Sequence, residues 1–226
     1  MSRVSHLSGL MKQGRVAAAV AVAVGALCMS VPASATIVSG TVTGGTSGGT
    51  FVKLNIPLTG STPFNTVGED NYNSPNLFGF DESQNILLGA TLVMDVGGTV
   101  AAGTQVASHY IFFDPRFLST IIGTVDFDSD VLGIMSSRGL LLASDFLVNT
   151  GVNYMSPALR GLEPATDTVA ISGSRQISLS WSASSPGDYV RVITAFSPGA
   201  VPEPGTLALL GVALAGLGLT RGRSAR

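Results

Sequence analysis

Between residues 36 and 196 the chain is interrupted every few positions by glycine, proline, asparagine or aspartate, and the apolar stretches between these breaks are strand-length, not helix-length. A chain punctuated in this way cannot build its core from long helices. The intervening segments favour β-branched and aromatic residues, many of them alternating with polar ones: 36–43, 50–57, 77–80, 86–88, 91–95, 105–114, 121–126, 131–135, 168–171, 176–181 and 189–196. They predict an all-β fold, an antiparallel β-sandwich of jelly-roll type. The glycine-rich stretch 44–49 reads as a reversing turn between the first two strands, and 59–76 and 151–166 read as surface loops. At most one short helix is expected, over 138–148, where Leu140, Leu141, Leu147 and Val148 fit a helical stripe.

Two apolar runs flank this body. Arg3, Lys12 and Arg15 precede an Ala/Val-rich segment that ends in Val31-Pro32-Ala33-Ser34-Ala35, the pattern of an export signal over residues 1–35 cleaved by signal peptidase after Ala35. The domain then covers 36–197 and a short linker, 198–204, leads to a second apolar run over 205–220. That run has 16 residues, about 24 Å as a helix, against a hydrocarbon core of about 30 Å. It predicts a marginal transmembrane helix, followed by a basic tail, 221–226, whose Arg221, Arg223 and Arg226 favour the cytoplasmic side of the inner membrane. An N-terminal signal helix and a C-terminal hydrophobic helix thus flank the sandwich.

Charge and cysteine usage exclude several functions. Residues 36–200 carry six basic groups against thirteen acidic ones, a net of −7, and a body so acidic lacks the basic face needed to bind nucleic acid. The single cysteine, Cys28, falls inside the first apolar run. A mature domain therefore has neither a disulfide nor a thiol nucleophile. Charged residues make up only 12% of the chain, about half the usual share.

The second apolar run carries a family resemblance. Pro202-Glu203-Pro204, the uncharged segment after it and the closing arginines Arg221 and Arg223 are similar, in that order, to the PEP-CTERM sorting domains of bacterial surface proteins. The resemblance implies recognition by exosortase, a membrane-embedded processing enzyme of species that make extracellular polysaccharide. It also implies a passing membrane anchor and a final place at the cell surface or outside the cell. The stretches 76–85, 108–115 and 126–133 resemble uncharacterised PEP-CTERM ectodomains, and no activity is carried over with them.

Candidate chemistry within the body is sparse. Asp126, Asp128 and Asp130 alternate with Phe127 and Ser129, so an extended chain places three carboxylates on one face. These are the residues that would hold a metal, and calcium is the ion suited to them outside the cytoplasm. The EF-hand pattern fails, with Val131 where glycine is needed and Ser137 where glutamate is needed, so such a site would recruit Asp81, Glu82 or Asp114. His109, the one histidine of the body, sits in an apolar strand and reads as a structural, hydrogen-bonded group; Trp181 alternates with Leu179 and Ile177 and reads as core. No nucleophile motif and no zinc-ligand spacing is present.

The expectation is therefore a structural or adhesive surface or matrix protein with no catalytic residues and no obligate cofactor. A calcium-assisted carbohydrate-binding module is the alternative, and a glycoside hydrolase built on two carboxylates is a second one.

Overall fold

The computed structural model describes residues 35–196. The expected export signal, sorting motif, apolar run and closing arginines lie outside the described residues, apart from Ala35. Among the described residues no helix is long and apolar enough to cross a membrane.

Fourteen strands form the domain: β1 (Ile37–Gly44), β2 (Phe51–Lys53), β3 (Thr66–Val67), β4 (Leu77–Asp81), β5 (Ile86–Leu87), β6 (Leu92–Val93), β7 (Thr99–Val100), β8 (Gln105–Phe113), β9 (Ser119–Phe127), β10 (Val131–Met135), β11 (Asn153–Tyr154), β12 (Thr168–Gly173), β13 (Gln176–Ala183) and β14 (Asp188–Ala195). One sheet has the order β1-β9-β13-β12. The other has the order β10-β14-β8-β4-β2, with β5 added to β8. Ile121, Val125, Ile177, Leu179 and Trp181 of the first sheet share one apolar cluster with Leu77, Ile111, Phe113, Val190 and Val192 of the second. This is the inside of the sandwich.

The second sheet is also covered on its outer face. Phe78, Phe80, Tyr110, Phe112, Tyr189 and Ile193 form a second cluster with Leu54, Leu58, Leu88, Met94, Leu141 and Leu147, which come from loops, small hairpins and a short helix. The consequence appears in the strands themselves. In β13, residues alternate between buried and half-buried, whereas seven of the eight residues of β14 are buried, as expected of a strand covered on both faces. Stacked and tilted ring pairs join Tyr72, Phe78, Phe112 and Tyr189 across this outer layer.

The all-β sandwich expectation holds, with two departures in detail. The first two strands do not pair as a hairpin. β1 runs antiparallel to β9 in one sheet, while β2 runs parallel to β4 in the other. The glycine stretch is thus a crossing between layers. Gly49 passes so close to the chain at Pro75 that an added Cβ would lie 1.9 Å from its carbonyl oxygen. The loops expected at 59–76 and 151–166 also meet, through a parallel pair of β3 and β11.

The expected helix over 138–148 is an α-helix, α1 (Arg138–Ala143), followed by a 3₁₀ turn, Asp145–Leu147. The break falls at Ser144, whose hydroxyl donates to the carbonyls of Leu140 and Leu141 and so competes with continuation of the helix. At the other end of α1, Asp95 Oδ2 accepts the backbone N–H groups of Ser136 and Ser137, each at 2.7 Å.

Two neighbouring glycines separate close approach from conformational freedom. Gly48 has φ +66 with open space around it, while Gly49 faces the Pro75 carbonyl. Gly48→Ala should cost about 1 kcal/mol, the penalty of a left-handed backbone. Gly49→Ala should cost about 3 kcal/mol or more by forcing the two chain segments apart. Urea unfolding of both variants checks the difference.

Candidate functional site

The dominant polar feature is buried beneath α1. Arg191 lies in the middle of β14, opposite Tyr110 of β8, with no exposed surface. Its guanidinium grips Glu82 through two hydrogen bonds, Nε to Oε2 at 2.7 Å and Nη2 to Oε1 at 3.0 Å, and Nη1 donates to Leu141 O and Ser144 Oγ. The bond to Leu141 O places a positive charge at the C-terminal end of the helix, where the dipole favours it. Glu82 is completed by Ser108 and Tyr154, whose hydroxyls donate to it. Arg160 makes a second bidentate pair with Asp145, and Asp145 also approaches Arg191 at 3.5 Å.

His109 is buried on the opposite face of β8, against Phe127. Its Nδ1 lies 2.7 Å from Asp81 Oδ1 and its Nε2 lies 3.0 Å from Thr194 Oγ1. Asp81 also pairs with Lys53 at 2.8 Å and accepts from Thr36 Oγ1 and the Ile37 N–H. Burial acts to raise the Asp81 carboxyl, but its bonds to His109, Lys53 and Thr36 outweigh it and hold the group well below the usual carboxylate range. Both ring nitrogens of the buried His109 are thus engaged, and Trp181 lies in the core, as its apolar strand suggested.

The three aspartates at the end of β9 and in the β9–β10 connection meet different protein partners. Asp126 accepts from Ser39 and Gln176, Asp128 accepts the Thr36 N–H at 2.8 Å, and Asp130 pairs with Arg175. The backbone of this connection also binds the Ala195 N–H through Asp130 O, so both ends of the described chain are tied here. Of the candidates for recruitment, Asp81 is bridged to Asp128 through Thr36. Glu82 is engaged with Arg191. Asp114, on the far side of the domain, accepts the Tyr72 N–H and is pushed up to about 6 by burial, with Asp70 adding to the rise.

A different carboxylate group does converge. Among the described residues, Glu163, Asp167 and Asp188 place ligand oxygens within 4.8 Å of one another. They stand beside a cleft of about 110 Å³ lined by Glu163, Thr166, Ser182, Ser185 and Asp188. At that separation each pair of charges repels by about 3 kcal/mol at an effective dielectric of 20. Burial, reinforced by Asp167 and Glu163, pushes Asp188 up to about 8. Sequence spacing gave no sign of this group, because Glu163 and Asp167 sit in an irregular loop and Asp188 opens a strand of the other sheet.

Comparison with known proteins bears on the residues beyond the described domain. Residues 200–223 match the family model of the PEP-CTERM protein-sorting motif. The chain is an exported β-rich protein with a C-terminal sorting signal of this kind. The motif implies exosortase processing and passing membrane anchorage. Neither a curated protein nor a solved structure matches the chain.

Two tests follow from the buried charges. Glu82→Gln or Arg191→Met alone should cost about 3–5 kcal/mol, because each leaves a partner unpaired in the interior. The double variant Glu82→Leu/Arg191→Met should be less unstable than the sum of the two, a coupling that a double-mutant cycle of urea unfolding measures. For Asp81 the folded carboxyl titrates below its unfolded value of about 3.9. Its stabilisation is present above that pH and is lost as pH falls through the folded value. Asp81→Asn should therefore destabilise the domain at pH 7 and progressively less toward pH 3.

Proposed function

We propose that the protein is a structural or adhesive component of the cell surface or extracellular polymer, delivered there by its sorting signal and carrying no catalytic site. The observation that carries this reading is the PEP-CTERM motif over 200–223, which follows closely on a sandwich whose strongest polar groups are turned inward. The Glu82–Arg191 and Asp81–His109 pairs join strands and loops to one another, the first of them wholly out of reach of solvent. The 110 Å³ cleft is well below the roughly 300–1,000 Å³ of sites that enclose small organic ligands. That size disfavours a glycosidase on Glu163 and Asp188. The side chains free to make contact include Phe117 and Leu118, which are 72% and 74% exposed in the β8–β9 loop.

Export through the inner membrane, with cleavage after Ala35, would make Thr36 the first residue of the mature domain. The Thr36 nitrogen lies 2.8 Å from Asp128 Oδ1, and a free ammonium there would turn this contact into a charge-assisted bond. The acidic connection at Asp126–Asp130 is read as a seat for the mature N-terminus in preference to a calcium site.

The test is expression in a host that makes exosortase, followed by cell fractionation and sequencing of the mature N-terminus. The intact chain should lose its C-terminal segment, begin at Thr36 and appear at the outer surface or in the extracellular polymer. Deletion of residues 202–226 should abolish that location. An uncut tail, with the deleted and intact chains in the same fraction, would overturn the reading.

A further inference from the structure

We propose that Glu163, Asp167 and Asp188 form a calcium site that clamps the loop before β12 to the turn leading into β14. The three side chains come from two segments remote in sequence, yet their oxygens all lie within 4.8 Å. Asp188 is only 1% exposed, and its Oδ2 meets no hydrogen-bond donor. Its carboxylate is aimed at the other two and at the cleft they share.

Asp167 shows how the group is held in place. Its Oδ1 accepts the Ser182 N–H at 2.7 Å, and its Oδ2 accepts the Glu163 N–H and the Thr166 hydroxyl. These bonds fix the carboxylate and leave a lone pair on Oδ1. Glu163 is exposed, so an ion can reach the cluster from solvent. The chemistry selects the ion: three carboxylates beside the serine and threonine oxygens of the cleft make an all-oxygen set. Calcium takes six to eight such ligands in irregular geometry, whereas magnesium demands a stricter octahedron and keeps its water.

A cation also answers the electrostatics. Three clustered carboxylates, one of them almost wholly buried, are held together here with no cationic side chain among the residues lining the cleft. One bound proton removes a single charge from this group, whereas calcium offsets two and satisfies Asp188 Oδ2 directly.

The experiment is thermal unfolding of the full chain in detergent, in EDTA and across a calcium series. Alongside it run Asp188→Asn, Glu163→Gln and, as a control at the other end of the sandwich, Asp126→Asn. For the parent, calcium at about a hundredfold over Kd should raise Tm by roughly 5–10 °C, the shift growing with the logarithm of calcium above Kd, with Kd near 0.1–1 mM. Glu163→Gln, whose side chain is exposed and whose folding is not at issue, and Asp188→Asn should each lose most of the shift. Asp126→Asn should keep it. A parent insensitive to calcium would overturn the proposal and leave Asp188 a protonated acid. A shift that survives in both Glu163→Gln and Asp188→Asn, or that disappears in Asp126→Asn, would overturn it as well by placing the ion elsewhere.

Discussion

The interior ion pair between Glu82 and Arg191 is the constraint around which the outer layer is arranged. Taking two charges out of water is costly, and their attraction repays it only when every remaining hydrogen-bonding position is filled. The fold fills them from five directions: β8 supplies Ser108, β11 supplies Tyr154, α1 and the residue after it supply Leu141 O and Ser144, and the 3₁₀ turn brings Asp145 near. A loop layer over a sheet face is otherwise held by apolar contact, which is indifferent to register. The Arg191 fork removes that freedom, since a shift of α1 by one residue would take Leu141 O and Ser144 away from it. This accounts for a short helix without a side-chain N-cap keeping a defined place.

A similar device operates on the other face of β8, with different residues. Asp81 and Glu82 are adjacent, and because neighbouring side chains of an extended chain point to opposite faces, one turns into the sandwich and the other into the outer layer. Asp81 gathers His109, Lys53 and the first residues of β1. A single dipeptide at the end of β4 thus ties together the three layers of the domain.

Much of this could be read from the sequence, for reasons specific to each element. β9 and β13 alternate because one face of their sheet is open to water, and the alternation was visible. β14 was recognisable as a strand, but Arg191 within Tyr-Val-Arg-Val-Ile carried a further signal: a charge amid continuous apolar residues requires a buried partner. That partner, Glu82, is 109 positions away, and no local pattern identifies it. The pairing of β1 and β2 was misread because glycine stretches permit a hairpin and a layer crossing equally. The Pro75 carbonyl that decides between them belongs to a distant loop. The carboxylate group at Glu163 escaped for the same reason, whereas two of the three aspartates conspicuous by spacing meet the ends of the described chain, Asp128 through its side chain at Thr36 and Asp130 through its backbone at Ala195.

The distribution of acid over the domain follows from this arrangement. β14 begins at Asp188 and ends at Ala195, so the Glu163 group and the Asp126–Asp130 connection lie at opposite ends of the sandwich. At the second end, each aspartate has a protein partner, and the described chain starts and finishes there. At the first end, Asp188 is buried with an oxygen that no donor reaches. The two ends therefore differ in how their negative charge is met. One is met by partners within the polypeptide, while the other keeps a charge that only a proton or a cation can meet. On the proposed route, calcium would reach that end only once the domain has left the cytoplasm, where the free ion is scarce. Rigidity of the β12–β14 region would then be a property gained on delivery.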